Sequence, residues 1–297
     1  MMKSTGYIAA AAMFLIAACQ ILPEESIQEE GSPVSVSVNI GTSPFGPDTR
    51  SMEPHTYDVE NLIHDIWVIQ FNNRGQRIGF QYYPREGEAG QFVENLEVGL
   101  VTAQNSTVCL VVNTENESLR WPDNLPDFRE TLFDVQANNE LSWTRIPMCG
   151  YWKGDVTGST QELSVILSRM ISRINLIVNN ETGAPLSNLS LELINVPTKS
   201  YVYPMTDHEA LPEDAYLQES FSDTMPEDLA DGESETFYHY IAPNICNSEE
   251  NATKVKIRSG DKEWNVTLGN NSPLSSERIY TLYANNYYTF TLNLQAE

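Results

Sequence analysis

Val34-Ser35-Val36-Ser37-Val38-Asn39-Ile40 alternates apolar and polar residues without a break. Successive side chains of a strand point to opposite faces, so the pattern predicts a strand with Val34, Val36, Val38 and Ile40 buried together. The pattern then stops. Gly41, Pro44, Gly46 and Pro47 crowd the stretch 41–51, which predicts an exposed, irregular connection carrying Arg50 and Ser51. Residues 63–71 are rich in β-branched and aromatic side chains and close on the turn Asn72-Asn73-Arg74-Gly75, with a return strand over 76–83. Further strands are predicted at 91–96 and 106–112. Leu125, Phe128, Leu132 and Val135 recur at helical spacing after Trp121-Pro122, so 125–136 reads as a short helix, followed by an extended piece at 144–150.

A second unit is predicted to open near Leu163, after the polar stretch beyond Gly158. Its strands are expected in the latter half of 163–178 and at 189–196, 236–241, 254–258, 263–268 and 287–294. The intervening 206–235 is acidic, holds Pro212 and Pro226, and reads as loop. Long helical periodicity is absent. The chain is therefore expected to be all-β: two antiparallel β-sandwich domains with one or two short helices, residues 34–162 and 163–297, with the boundary between Gly158 and Val165. No internal repeat is evident.

The N-terminus changes the picture from fold to location. Lys3 precedes twelve uncharged, mostly apolar residues, 7–18, ending in small residues at Cys19. A membrane-spanning helix takes about 20 residues, so residues 1–18 read as a cleaved signal peptide. The sequence Ile16-Ala17-Ala18-Cys19 resembles the bacterial lipobox, which implies lipid on Cys19. Residues 19–33 then form a polar, acidic tether. Cys109, Cys149 and Cys246 have no metal or redox spacing, and Cys109 sits in an apolar run as a core residue.

The formal charge is −24, from 17 basic and 41 acidic residues, and the basic ones form no stripe. Nucleic acid is excluded as a partner, and lipid rather than charge must hold the chain to a membrane. No nucleophile elbow, zinc-protease motif, phosphate loop or dinucleotide fingerprint occurs, and His55, His64, His208 and His239 form no compact ligand set. No catalytic residue, metal or cofactor is expected. The acidic run 228–235 lacks the spacing of a calcium loop and reads as solvated. Trp67 and Trp264 lie in strand patterns and read as core. Trp121, Trp143 and Trp152 read as loop residues and are the candidates for a carbohydrate platform.

Taken in order, several pieces carry a resemblance. They are the lipobox, the alternating strand, the loop ending in Thr49-Arg50, and residues 60–71 with the turn at Gly75. Val111-Val112-Asn113-Thr114, Ile146-Pro147-Met148-Cys149-Gly150 and Leu167-Ser168-Arg169-Met170-Ile171-Ser172-Arg173-Ile174 complete the series. Over nearly the whole chain this resembles the fimbrillin-like lipoproteins of the Bacteroidales, the type V pilins and their accessory subunits. The resemblance implies two transthyretin-like sandwiches, export as a surface-exposed outer membrane lipoprotein, and cutting after Arg50 by an arginine-specific protease. It also implies assembly with other fimbrial subunits by exchange of the strand bearing Val34, Val36, Val38 and Ile40. Glu24-Glu25 is similar to a surface-export signal, and Asp223-Thr224-Met225 resembles an O-glycosylation signal with Thr224 as acceptor. Stalk pilins carry an extra C-terminal donor segment. Here the last predicted strand, 287–294, reads as the closing strand of the second sandwich, so a minor, tip or other terminal subunit is expected. The alternative is a glycan-binding surface lipoprotein with host or microbial glycans or proteins as partners.

Overall fold

A computed structural model describes residues 31–43, 58–84, 90–91, 93–114, 120–135, 145–158, 161–204, 211, 221–225, 227–246, 248–269 and 280–296. In the first half, the strands are β1 (Pro33–Thr42), β2 (Asp65–Phe71), β3 (Arg77–Pro84), β4 (Asn95–Val101), β5 (Ala103–Val112), β6 (Leu132–Asp134), β7 (Met148–Val156) and β8 (Glu162–Arg169). In the second half they are β9 (Ser172–Glu181), β10 (Ser190–Ile194), β11 (Lys199–Tyr201), β12 (Phe221–Thr224), β13 (Ser234–Ile241), β14 (Lys254–Ser259), β15 (Lys262–Thr267) and β16 (Tyr287–Gln295). A 3₁₀ turn, Asp58–Asn61, and one short helix, α1 (Leu125–Arg129), complete the described elements.

The fold is an all-β sandwich fold with two cores. In the first, β3-β2-β5-β7 faces β4-β1-β8, and two residue pairs, Met148 with Arg169 and Cys149 with Ser168, hinge one layer to the other. In the second, β12-β10-β14-β15 faces β13-β9-β16. β6 and β11 form a two-stranded patch that ties the halves together. Burial matches this layout: Val36, Ile66, Leu110, Leu163 and Leu167 fill the first core, and Ile174, Leu176, Leu191, Val255 and Leu294 the second.

The two sandwiches share one connectivity. β1 lies between β4, antiparallel, and β8, parallel; β9 lies likewise between β13, antiparallel, and β16, parallel. The facing layers match strand for strand in chain order once β6 and β11 are set aside. Those two parallel pairs depart from the expected all-antiparallel pairing. Each opening strand is separated from its parallel neighbour by the rest of the sandwich, which is the crossover that parallel pairing needs.

Four expectations move. The helix predicted over 125–136 stops at Arg129. Asn124 caps its start by accepting from the Asp127 amide at 2.9 Å, and the Thr131 hydroxyl donates to the Asp127 carbonyl at 3.0 Å at its end. Phe133 and Val135, two apart, are then buried at strand spacing. The strand expected at 91–96 lies at Asn95–Val101. The stretch 206–235, read as loop, contains β12, whose backbone pairs with β10. Finally, residues 163–169 belong to the first core. The change of core falls between Ile171 and Ile174, because β8 runs into β9 through Met170 and Ile171 alone.

Candidate functional site

β1 is a central strand. It pairs with β4 from Pro33 to Asn39 and with β8 from Ser37 to Thr42. Val34, Val36, Val38 and Ile40 point inward, at 7, 0, 0 and 8% exposure, as their alternation predicts. Fully burying side chains of this kind is worth about 1.5–3 kcal/mol each, so the four contribute on the order of 6–12 kcal/mol. Removing β1 would also strip the ladder partners from facing edges of β4 and β8. Such a gap is a template for another strand.

Where β1 ends, a buried polar joint begins. The Ser43 amide donates to the Leu167 carbonyl at 2.7 Å, continuing the ladder by one step. The Arg169 guanidinium, only 2% exposed, donates to the Ser43 carbonyl at 2.8 Å, to Asn61 Oδ1 at 2.5 Å and to Asn285 Oδ1 at 3.2 Å. Asn285 in turn donates to Ser43 Oγ at 3.2 Å. Four residues on, Arg173 pairs with Glu60 at 2.8 Å, a carboxylate with no exposed side-chain surface. Tyr240 donates its hydroxyl to the same Glu60 oxygen. Arg173 also lies over the rings of Tyr238, Tyr240 and Tyr287 at 5.1–5.8 Å. Burial lowers the Arg169 pKa, against the pull of Glu60. Burial first, and then the bond to Glu60, raises that of the Tyr240 hydroxyl.

The joint therefore grips both ends of the 44–57 segment. Ser43 precedes it, and Glu60 and Asn61 in the 3₁₀ turn come after it. Arg50 and Ser51 lie in that segment and, with Cys19 and Trp143, fall outside the described residues. Sequence reasoning used residues 167–174 only as a resemblance and missed their role. The signal was present: two arginines four apart stand among the apolar Leu167, Met170, Ile171 and Ile174, and arginine is rarely buried without partners.

The carbohydrate platform is not supported at either tryptophan the structure describes. Trp121 is 5% exposed and packs edge-on against Trp67 and Phe128. Trp152 is a half-buried residue of β7, paired with Val108, rather than a loop residue. Both were expected at the surface, but their rings complete the side of the first core. Trp67 is core as expected, and half-buried Trp264 donates to the Gln295 carbonyl at 3.2 Å. Thr224 is exposed at the end of β12, opposite Ser190. In the acidic run, Asp231 accepts from the Gly183 amide at 2.8 Å and Glu233 from the Ala230 amide at 3.1 Å, so these carboxylates close turns. Among the described residues no group of three or more His, Cys, Asp or Glu is placed to hold a metal. No helix among them is long and apolar enough to cross a membrane.

No family model matches the chain, and no curated protein matches it by sequence. Solved structures do. A Parabacteroides distasonis structure described as a candidate cell adhesion protein aligns with a TM-score of 0.68 at 18% identity, covering 90% of each chain. A tip fimbrial protein from Porphyromonas gingivalis, with a C-terminal truncation, aligns with a TM-score of 0.59 at 16% identity over 88% of this chain and 94% of that one. A fimbrial assembly protein from Parabacteroides distasonis gives 0.51 at 14% identity, over 88% and 90%. The chain has the fold of these Bacteroidales fimbrial and adhesion proteins.

Proposed function

We propose that this chain is a structural subunit of a cell-surface fimbria. In this reading it is exported as a lipoprotein anchored through Cys19, cut after Arg50, and joined to another subunit by exchange of β1. One observation carries the reading. β1 is a regularly alternating central strand whose route onward in the chain is the 44–57 segment that contains Arg50. A single cut there would free the whole strand from the rest of the chain beyond it. The likeness in fold to a tip fimbrial protein favours a terminal or minor subunit. The glycan-binding alternative loses its argument at Trp121 and Trp152.

The test is maturation in vitro. An arginine-specific protease acting on the purified precursor is expected to give a new N-terminus at Ser51. The cut chain should unfold at lower temperature and recover on adding a peptide of residues 33–43. Resistance at Arg50, or a cut with no loss of stability, would overturn strand exchange. Anchoring is tested separately: Cys19→Ala should leave the membrane fraction, and wild-type retention would exclude the lipid.

A further inference from the structure

A row of valines does not by itself fix where a strand stops. A one-residue slip turns every side chain to the wrong face, but a two-residue slip puts Val on Val and keeps the faces. In the β1 slot, Val34, Val36, Val38 and Ile40 are all β-branched and similar in size. Apolar burial alone therefore discriminates poorly between the native register and one shifted by two.

The end of the slot is different. Beyond the last ladder pair, Thr42 with Leu167, the strand meets Arg169 and Asn285. Arg169 bonds the Ser43 carbonyl, and Asn285 donates to the Ser43 hydroxyl. The acceptors of Arg169 on Asn61 and Asn285 lie outside β1 and stay when β1 leaves. The Ser43 carbonyl departs with the strand, and a buried charged donor deprived of an acceptor is costly. A two-residue slip would bring Gly41 or Phe45 to this place, neither of which has a side-chain acceptor.

The geometry points to Arg169 and Asn285 as a recognition site for the end of whatever strand fills the β1 slot. It takes a strand from another subunit that extends one residue past the ladder, with a backbone carbonyl for Arg169 and an oxygen-bearing side chain for Asn285. Serine, threonine, asparagine or aspartate meets that requirement. This inference rests on the strand-exchange reading and adds what selects register and length.

The experiment uses the full chain, cut within 44–57 at an inserted sequence for a site-specific protease, so that Arg50 does not enter. Fluorescein-labelled peptides compete with the resident strand, and binding is read by anisotropy. One peptide is residues 33–43 with a C-terminal amide. A second is residues 33–42 with a C-terminal amide, whose terminal N–H replaces that of residue 43 while the carbonyl is lost. The third carries Ser43→Ala. The 33–42 peptide is expected to bind about tenfold more weakly than 33–43, and the Ser43→Ala peptide a few-fold more weakly. In Arg169→Met the dependence on peptide length should shrink to about twofold, and in Asn285→Ala, which keeps the arginine, the difference made by Ser43→Ala should vanish. Equal binding of the two lengths to the unmutated chain would overturn this assignment while leaving strand exchange intact, as would an undiminished length dependence in Arg169→Met. Binding of none of the peptides would overturn strand exchange and this inference with it.

Discussion

Glu60 is the side chain on which the joint can be tested most directly. Its carboxylate is fully enclosed, pairs with Arg173 at 2.8 Å and accepts from Tyr240. Glu60→Ala would take this carboxylate from the buried Arg173 guanidinium. Breaking a buried pair from one side costs about 3–5 kcal/mol, because the remaining charge stays desolvated. The rings of Tyr238, Tyr240 and Tyr287 still face Arg173, and cation–π contacts of this kind are worth about 0.5–2 kcal/mol each. The expected loss is therefore at the lower end, about 3 kcal/mol. At about 2–4 °C per kcal/mol for a chain of this size, the melting midpoint should fall by roughly 6–12 °C. Thermal unfolding monitored by circular dichroism and tryptophan fluorescence reads it. Glu60→Gln, which keeps an acceptor for Tyr240, should lose less. The double variant Glu60→Leu with Arg173→Met should recover much of the loss, since replacing both members of a buried pair by apolar groups is often close to neutral. A shift below about 2 °C for Glu60→Ala, or a double variant as unstable as the two singles combined, would refute the account of the joint.

Three further outcomes are expected. Gly150→Ala should destabilise the chain by about 1–3 kcal/mol, read as a lower melting midpoint, because a Cβ there would stand 2.4 Å from the Ile166 carbonyl where the two layers hinge. Cys109 and Cys149, whose thiols burial pushes above their ordinary range, should resist Ellman's reagent at about pH 8 in the native chain and react on unfolding in urea. Stability should also fall in strong alkali. The Tyr240 hydroxyl titrates above its ordinary value of about 10 in the folded chain, so it stays protonated while the unfolded chain loses that proton, and its contribution is full below pH about 10 and declines above. Melting midpoints measured from about pH 8 to 11 should show the decline, and Tyr240→Phe should reduce it.

Period-two alternation made part of the fold legible in the sequence. The buried face of β1, the strands flanking the turn at Gly75 and the all-β class all come from alternation and β-branched composition, which act locally. The misreadings have one cause. Leu132 and Val135 match helical spacing by chance, but Phe133 and Val135 are the side chains that the β6–β11 pairing buries, and that pairing joins residues far apart in the chain. Trp121 looked exposed because it read as a loop residue; its burial depends on Trp67 and Phe128, which only the fold brings near it. The motifs that carried the resemblance prove to be joints. Asn113 takes a positive φ of 62° and bonds the Leu62 and Ile146 carbonyls at 2.9 and 2.7 Å, while its oxygen accepts from the His64 amide at 2.8 Å. Gly150 makes room for β8. Arg169 and Arg173 seal the change of core. Each reason is a contact between residues distant in the chain, so the letters could be noticed without their cause.

The shared connectivity of the two sandwiches bears on the proposal that β1 is the strand exchanged. β9 holds the equivalent place in the second sandwich, with the same antiparallel and parallel neighbours. It cannot serve the same purpose. β8 enters it through two buried residues, and Arg173 near its start is fixed to Glu60 and ringed by tyrosines. A strand joined to the body at both ends and held by a buried ion pair does not leave without unfolding the domain around it. β1 has the same neighbours, and its C-terminal end is met at Ser43 by hydrogen bonds from Arg169 and Asn285 to neutral oxygens. Two copies of one architecture thus differ in how the opening strand is held, by a buried Arg173–Glu60 pair at β9 and by hydrogen bonds to neutral Ser43 oxygens at β1, and this difference supports the proposal that β1 is the strand exchanged.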